Sequence, residues 1–296
     1  MLIRKRRGWE IPERQVTPEG VYMNRRQALR SMGFAGVGMG SLLAGCSWAK
    51  EIFSQGVKPV PEAVRFPEWP AADLYPADRN PGYSEEATGR SITPPAISLA
   101  YNNYYEFFTD KSEVWKLVEQ FETRPWEIEV SGLVENPQKF DVDELVRSMP
   151  IEERVYRFRC VEAWAATIPW AGFPFKALID KVQPKSRARF VRMVTVKRPS
   201  QMPGIPKQPW YPWPYHEALT IPEAMNELAM LVTGAYGKPL PKQNGAPIRL
   251  ITPWKFGFKN IKSIVKIEFT EKQPKTLWSD VAGNEYGFWA NVNPKV

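Results

Sequence analysis

The chain has 296 residues, with 40 Lys and Arg against 32 Asp and Glu, 43% hydrophobic and 13% aromatic side chains. That mixture builds a packed core and excludes a disordered or collagen-like chain. Eight of the basic and three of the acidic side chains fall in the first 45 residues, so the excess positive charge is largely a leader effect and a nucleic-acid partner has no support. Two Cys and one His are too few for a disulfide framework, a zinc finger, an Fe–S cluster or a covalent haem motif, so any metal must be held mostly by something other than side chains.

Asn24-Arg25-Arg26-Gln27-Ala28-Leu29-Arg30 precedes an uncharged, Gly-rich run over 31–49, the pattern of a twin-arginine export signal. Asn24 and Ala28 depart from that pattern, which usually carries Ser or Thr and a large apolar residue there. An amphipathic N-terminal helix and a spanning helix are the competing readings. Gly33, Gly36, Gly38, Gly40 and Gly45 weaken the spanning one, although the run nearly reaches the ~20 residues a bilayer needs. Leu43-Ala44-Gly45-Cys46 resembles a bacterial lipobox, which leaves lipidation at Cys46, an ordinary cut nearby and an uncleaved anchor open. Twin-arginine export carries folded proteins, typically because a cofactor is inserted before export. The expected boundaries are a signal segment over 1–46, an extended arm over 47–96 and one folded domain over 97–296.

The arm is marked by Pro59, Pro61, Pro67, Pro70, Pro76, Pro81, Pro94 and Pro95 and by the lack of sustained periodicity. Alternation predicts a strand over 126–130, closed by Ser131-Gly132. A short helix is expected over 141–149, with Asp141 as its cap and Pro150 as its stop. Residues 155–161 alternate again, with Val155, Arg157, Arg159 and Val161 on one face and Tyr156, Phe158 and Cys160 on the other, so Cys160 stands at a strand end or in the turn after it. Residues 162–172, rich in aromatics and turn formers, suit the wall of a pocket. Further strands are expected over 189–196, 248–251 and 263–270, with helices over 175–182 and 221–230. No period of 20–50 residues repeats, and a mixed, β-rich α+β class follows.

Arg157, Arg159 and Arg154 place positive charge near Cys160 in the sequence, which favours a thiolate; nucleophile, soft-metal ligand and inert buried thiol are all open readings. A cysteine protease would need a base, and the lone His216, among prolines and tryptophans, is expected to be structural.

Arg157-Phe158-Arg159-Cys160-Val161-Glu162-Ala163-Trp164 with Ile168-Pro169-Trp170-Ala171-Gly172-Phe173-Pro174 resembles the cysteine loop of the sulfite oxidase fold molybdoenzymes. Residues 101–107, 243–249, 254–264 and 286–294 resemble one branch of that family, the periplasmic methionine sulfoxide reductases. Several separated motifs in one order, from about Tyr101 to Pro294, carry the likeness; the lipobox-like segment is not a usual feature of the family. The resemblance implies a single molybdopterin-binding catalytic domain without the C-terminal immunoglobulin-like dimerisation domain of sulfite oxidases, and hence a monomeric catalytic subunit.

It also implies a molybdenum–molybdopterin cofactor with Cys160 as the protein's one ligand to the metal. The dithiolene supplies two sulfurs, so one soft thiolate is enough. Asn102, Tyr105, Glu106 and Asn244 are implied as partners of the pterin, Arg249 and the loop through Asn260, Ile261 and Lys262 as partners of its phosphate, and Thr195 as a further contact. The implied reaction removes oxygen from methionine sulfoxide in periplasmic proteins, with electrons from a membrane haem b subunit, since nothing in the chain resembles a haem or flavin site. The alternatives are a sulfite-oxidising or small-sulfoxide or N-oxide reductase on the same fold, and a non-enzymatic lipoprotein scaffold.

Overall fold

Ile128 and Val130 are buried while Glu127 and Gly132 are exposed, the alternation of a strand with one face on a core. In the computed structural model, which describes Trp69 and residues 71–293, ten such strands form two sheets. They are β1 (Glu127–Gly132), β2 (Gln138–Asp141), β3 (Glu152–Arg159), β4 (Ala165–Pro174), β5 (Phe190–Thr195), β6 (His216–Thr220), β7 (Met230–Ala235), β8 (Lys238–Pro239), β9 (Arg249–Ile251) and β10 (Ile264–Thr270). One sheet runs β2-β1-β10-β5-β6, with β1 parallel to β10 and the other pairs antiparallel. The other runs β3-β4-β7-β8, with β9 also on β7. The export signal, the lipobox and residues 294–296 lie outside the described residues.

Among the described residues three helices are longer than a turn and a half: α1 (Val142–Arg147), α2 (Phe175–Val182) and α3 (Leu277–Ala282). Asp141 caps α1 as expected, accepting from the N–H groups of Asp143 and Glu144 at 2.8 and 3.2 Å. On α2 the residues at 175, 178, 179 and 182 are buried, one stripe at helical spacing.

One expectation fails. Residues 221–230 hold one helical turn, Ile221–Ala224, after which Met230 opens the buried strand β7; Met230 to Ala235 are all buried, and a strand covered on both faces has no period to distinguish it. Residues 165–174, to which no element was assigned from sequence, form a ten-residue strand. Pro169 is tolerated there because its carbonyl faces the β7 side, accepting from Tyr236, just before the paired stretch that begins at Trp170, so no ladder bond needs its missing N–H. Gly172 sits at the bulge that follows, where a Cβ would lie 2.2 Å from the Leu231 carbonyl oxygen.

The larger core, with Phe107, Phe121, Trp126, Phe173 and Phe175, takes side chains from both sheets; a smaller one, with Tyr156, Phe158, Ile168 and Trp170, packs on the second. The arm docks on β3 and β4: Asn80 donates to Glu153 O (2.8 Å), Glu153 to Asp78 O (2.8 Å) and Thr93 to Thr167 O (2.8 Å). The end of β3, the end of β5 and the approaches to β9 and β10 are thereby brought together where the two sheets meet.

Candidate active site

β3 ends at Arg159, and Cys160 opens the turn that follows. Its N–H donates to Trp164 O at 2.9 Å and its carbonyl accepts from Ala163 N at 3.2 Å, with Ala163 in the left-handed region at φ 70°. The thiol is free and 5% exposed, and its polar neighbours are the backbone of Glu162 and Asn103, whose Nδ2 lies 3.6 Å from Sγ. Burial pushes the thiol up from its ordinary range.

The charge argument made from sequence is corrected here. Arg154 turns away to Glu152, Tyr156 and the ring of Tyr83, and Arg157 and Arg159 occupy the alternate positions of β3, away from the Cys160 face. The cations that the thiol feels are Lys111 and Lys262. Lys111 is itself tied to Glu162 at 2.7 Å. His216 is structural as expected: it lies in β6, its Nδ1 donating to Pro214 O at 2.9 Å and its Nε2 3.5 Å from Asp280.

Near Cys160, beside Asn103 and Lys262, lies a wall of buried polar groups. The Ser98 carbonyl accepts from Nδ2 of Asn102 (2.9 Å) and of Asn244 (3.2 Å), and the Leu99 carbonyl from Nε2 of Gln243 (3.2 Å). One turn thus orients three amides, and the side-chain oxygens of all three are buried without a partner. Arg249 opens β9, 4% exposed, donating to Asn244 O (2.8 Å) and Asn260 O (3.2 Å); its Nε is also buried and unpartnered. Burial pushes this guanidinium down to about 9.

Lys262 stands above the Tyr104 ring at 5.2 Å. It packs on Gly245, whose φ is +100° and where a Cβ would come within 2.7 Å of the lysine's own Cβ, so this position demands glycine twice over. Burial, then the neighbouring Arg249 charge, pushes Lys262 down to about 7, and burial pushes the nearby Glu106 carboxyl up to about 7 against the pull of Lys262. Thr195, at the end of β5, donates to Lys262 O at 2.8 Å.

The expected site residues are therefore brought together, but two of them differ in kind. The Asn260 amide is consumed within the loop by Thr252 and by Phe256 O. The Ile261 side chain is core, 1% exposed. What this segment offers a ligand is main chain, since the N–H groups of Ile261 and Lys262 donate to no group among the described residues. Consecutive free N–H groups beside cations make an anion site.

These features fit a large, polar, anionic group carrying a thiophilic metal. Unpaired amide oxygens match pterin donors, two cations without a carboxylate partner and two N–H groups match a phosphate, and one buried thiol matches a soft metal with most of its coordination supplied from elsewhere. Among the described residues no cluster of three His, Cys, Asp or Glu offers a different metal site.

Residues 115–278 match the model of the oxidoreductase molybdopterin binding domain. The chain belongs to this family. Over 289 residues, 98% of the chain and 82% of the relative, it is 43% identical to the protein-methionine-sulfoxide reductase catalytic subunit MsrP of Burkholderia mallei. It is 42% identical, over 98% of its length and 82% of the relative, to the MsrP of Ralstonia nicotianae, and 42% identical, over its full length and 86% of the relative, to that of Pseudomonas syringae pv. tomato. Among solved structures, the sulfane dehydrogenase SoxCD from Paracoccus pantotrophus superposes with a TM-score of 0.50 at 16% identity, over 74% of the chain; the chain spans about half (52%) of that structure, and the likeness is one of fold.

For this member of the molybdopterin-binding family, sequence reasoning missed Gln243, Asn103 and the Lys111–Glu162 pair. Gln243 and Asn103 each adjoin a residue that was identified. Lys111 gave no signal, because its role depends on a contact 51 positions away in the chain.

Proposed function

We infer that Cys160 is the protein ligand to molybdenum in a molybdopterin-dependent enzyme that removes oxygen from methionine sulfoxide in proteins. The observation that carries the site assignment is the wall near Cys160, where Asn102, Gln243, Asn244 and Arg249 hold buried polar atoms that the chain itself leaves unpartnered. Unpartnered buried polar atoms cost roughly 1–3 kcal/mol each, and four at one place are the signature of a missing ligand. Family membership and the 42–43% identity to MsrP catalytic subunits carry the reaction.

When bound, the cofactor supplies two-electron oxygen-atom chemistry at sulfur. The chain's part is to bind, orient and enclose. Cys160 would bind the metal as a thiolate, and burial of the thiol favours its neutral form while the site is without metal. Asn103 donates toward the sulfur and orients it. Arg249, Lys262 and the N–H groups of Ile261 and Lys262 would hold the phosphate; Asn102, Asn244, Glu106 and Tyr105 would meet the pterin; Thr195 fixes the loop by its bond to Lys262 O.

Electrons come, in this reading, from a membrane haem b subunit, and the substrates are oxidised periplasmic proteins. Periplasmic location rests on Arg25 and Arg26 and the run that follows, and a lipid anchor at Cys46 rests on Leu43–Cys46 alone. Replacing both arginines by Lys should hold the precursor in the cytoplasm, because ammonium groups do not reproduce the guanidinium pair; normal export of the double variant would reject this route.

The deciding experiment for the site is metal and pterin analysis of natively exported protein, followed by steady-state assays with peptide methionine sulfoxide and with sulfite. One molybdenum and one pterin per chain with turnover of the sulfoxide is the expected result. Turnover of sulfite alone would replace the reductase reading, and protein without metal or pterin would remove it.

A further inference from the structure

Two of the three large hydrophobic side chains exposed among the described residues, Trp210 at 69% and Val281 at 42%, belong to one surface. Trp210 lies 6.1 Å from Tyr211, which lies 5.4 Å from Trp213 and 5.7 Å from Trp278. Trp278 stacks on Tyr286 at 4.9 Å, and Val281 stands one turn further along α3. Pro209 and Pro212, both exposed, frame the segment.

This aromatic ladder leads inward. Its last rung is Tyr105, whose ring is 6.0 Å from Tyr211 and 5.5 Å from Trp278 and whose phenol feels the charges of Glu162 and Cys160. Around Cys160 itself, Lys111 pairs with Glu162 at 2.7 Å and Tyr101 meets Trp164 edge-on at 5.5 Å. The exposed aromatic surface thus leads through Tyr105 toward Cys160.

We propose that the surface formed by Trp210, Tyr211, Trp213, Trp278 and Val281 is the docking site for an extended, apolar-flanked segment of an oxidised protein, and delivers its methionine sulfoxide to the Cys160 pocket. This rests on the reductase reading above. A small sulfoxide has no use for a surface of this extent. A sulfoxide within a chain brings its neighbours with it, and methionine's usual neighbours are apolar. Rigid aromatic and proline side chains hold such a segment with little loss of side-chain freedom, and an exposed tryptophan in a patch of this kind marks an interaction site.

The test compares two substrates on the cofactor-loaded enzyme: N-acetyl-methionine sulfoxide, and a chemically oxidised protein kept unfolded by reduction and carboxymethylation. Trp210→Ser and the double variant Trp210→Ser/Val281→Ser change exposed side chains only, so the fold and loading should persist, as metal content and thermal melting will report. KM for the unfolded oxidised protein should rise about tenfold, the size of a lost interface anchor, while both constants for the small sulfoxide stay within about twofold. Equal changes for the two substrates, or no change for either, would overturn the docking surface. So would a wild-type dimer that dissociates in the variant with the protein substrate's KM unmoved, since the patch would then hold a second copy of the chain. Loaded wild type that reduces neither sulfoxide would instead remove the reductase reading itself.

Discussion

Four cations, Arg249, Lys255 and Lys259 buried and Lys262 partly buried, lie within 14 residues of one another, and they fall into two pairs. Lys255 and Lys259 are saturated: Lys255 donates to Glu223 (2.5 Å), Trp289 O (2.7 Å) and Asn291 (3.0 Å), and Lys259 to Glu217 (2.5 Å) and Ala218 O (2.9 Å), with both lysine side chains fully buried. Arg249 and Lys262 have no carboxylate within ion-pair distance among the described residues, and both are driven toward their neutral forms. A buried charge with its counter-ion in place is part of the fold; one without is waiting for an anion from outside. The sequence Trp254-Lys255-Phe256-Gly257-Phe258-Lys259-Asn260-Ile261-Lys262 thus carries two cations with carboxylate partners and one, Lys262, without, which we propose serves the cofactor, and nothing in the spacing alone separates them.

The largest effect should come from the metal side of the site. Cys160→Ser should retain pterin through the untouched wall and lose sulfoxide reduction to background, with an altered electronic spectrum, because a hydroxyl is a hard, weakly acidic donor. Near-normal turnover would remove Cys160 as the ligand.

The two classes of cation should then respond in opposite ways. Lys259→Met strands the Glu217 carboxylate, one of whose oxygens already lacks a partner, and should cost about 3–5 kcal/mol in denaturant unfolding of the cofactor-free protein. Lys262→Met should raise that stability, since it removes a desolvated charge that has no counter-ion, but weaken pterin retention by roughly ten- to a hundredfold, the worth of one charge-assisted contact. Matching losses of stability in both variants would erase the distinction.

A pH series sharpens it. In the cofactor-free protein Glu106 sits above its unfolded pKa, so between about pH 4.5 and 7 the folded state holds a proton that the unfolded chain has lost, and stability falls as pH rises. Lys262 sits below its unfolded pKa, so between about 7 and 10.5 the unfolded chain holds the extra proton and stability rises. Each limb should approach roughly one kcal/mol per pH unit, giving a minimum near neutrality, and the upper limb should vanish in Lys262→Met. A curve of unchanged shape in that variant would place the titration elsewhere.

The smallest effect is expected at the edge of the saturated pair. Asn291→Ala removes one of three acceptors from Lys255 at a position where water can enter, and should cost about 1 kcal/mol of stability with the pterin content unaltered.

The composition by itself excluded a zinc finger, an Fe–S cluster and a covalent haem motif, and local patterns placed the cap at Asp141, the amphipathic α2, the strands around 127–132, 152–159, 190–195 and 264–270, and Cys160 just past a strand end. Those features depend on neighbours within a turn or on alternation along one strand, which a linear pattern records. The charge state of the thiol, the split between Lys255, Lys259 and Lys262, the spent amide of Asn260 and the strands β4 and β7 depended on partners tens of residues away. Strands buried on both faces carry no alternation, and a cation's role is set by whether a carboxylate from another element reaches it. Both are decided by the way the two sheets pack, because that packing alone brings residues distant in the chain within reach of one another.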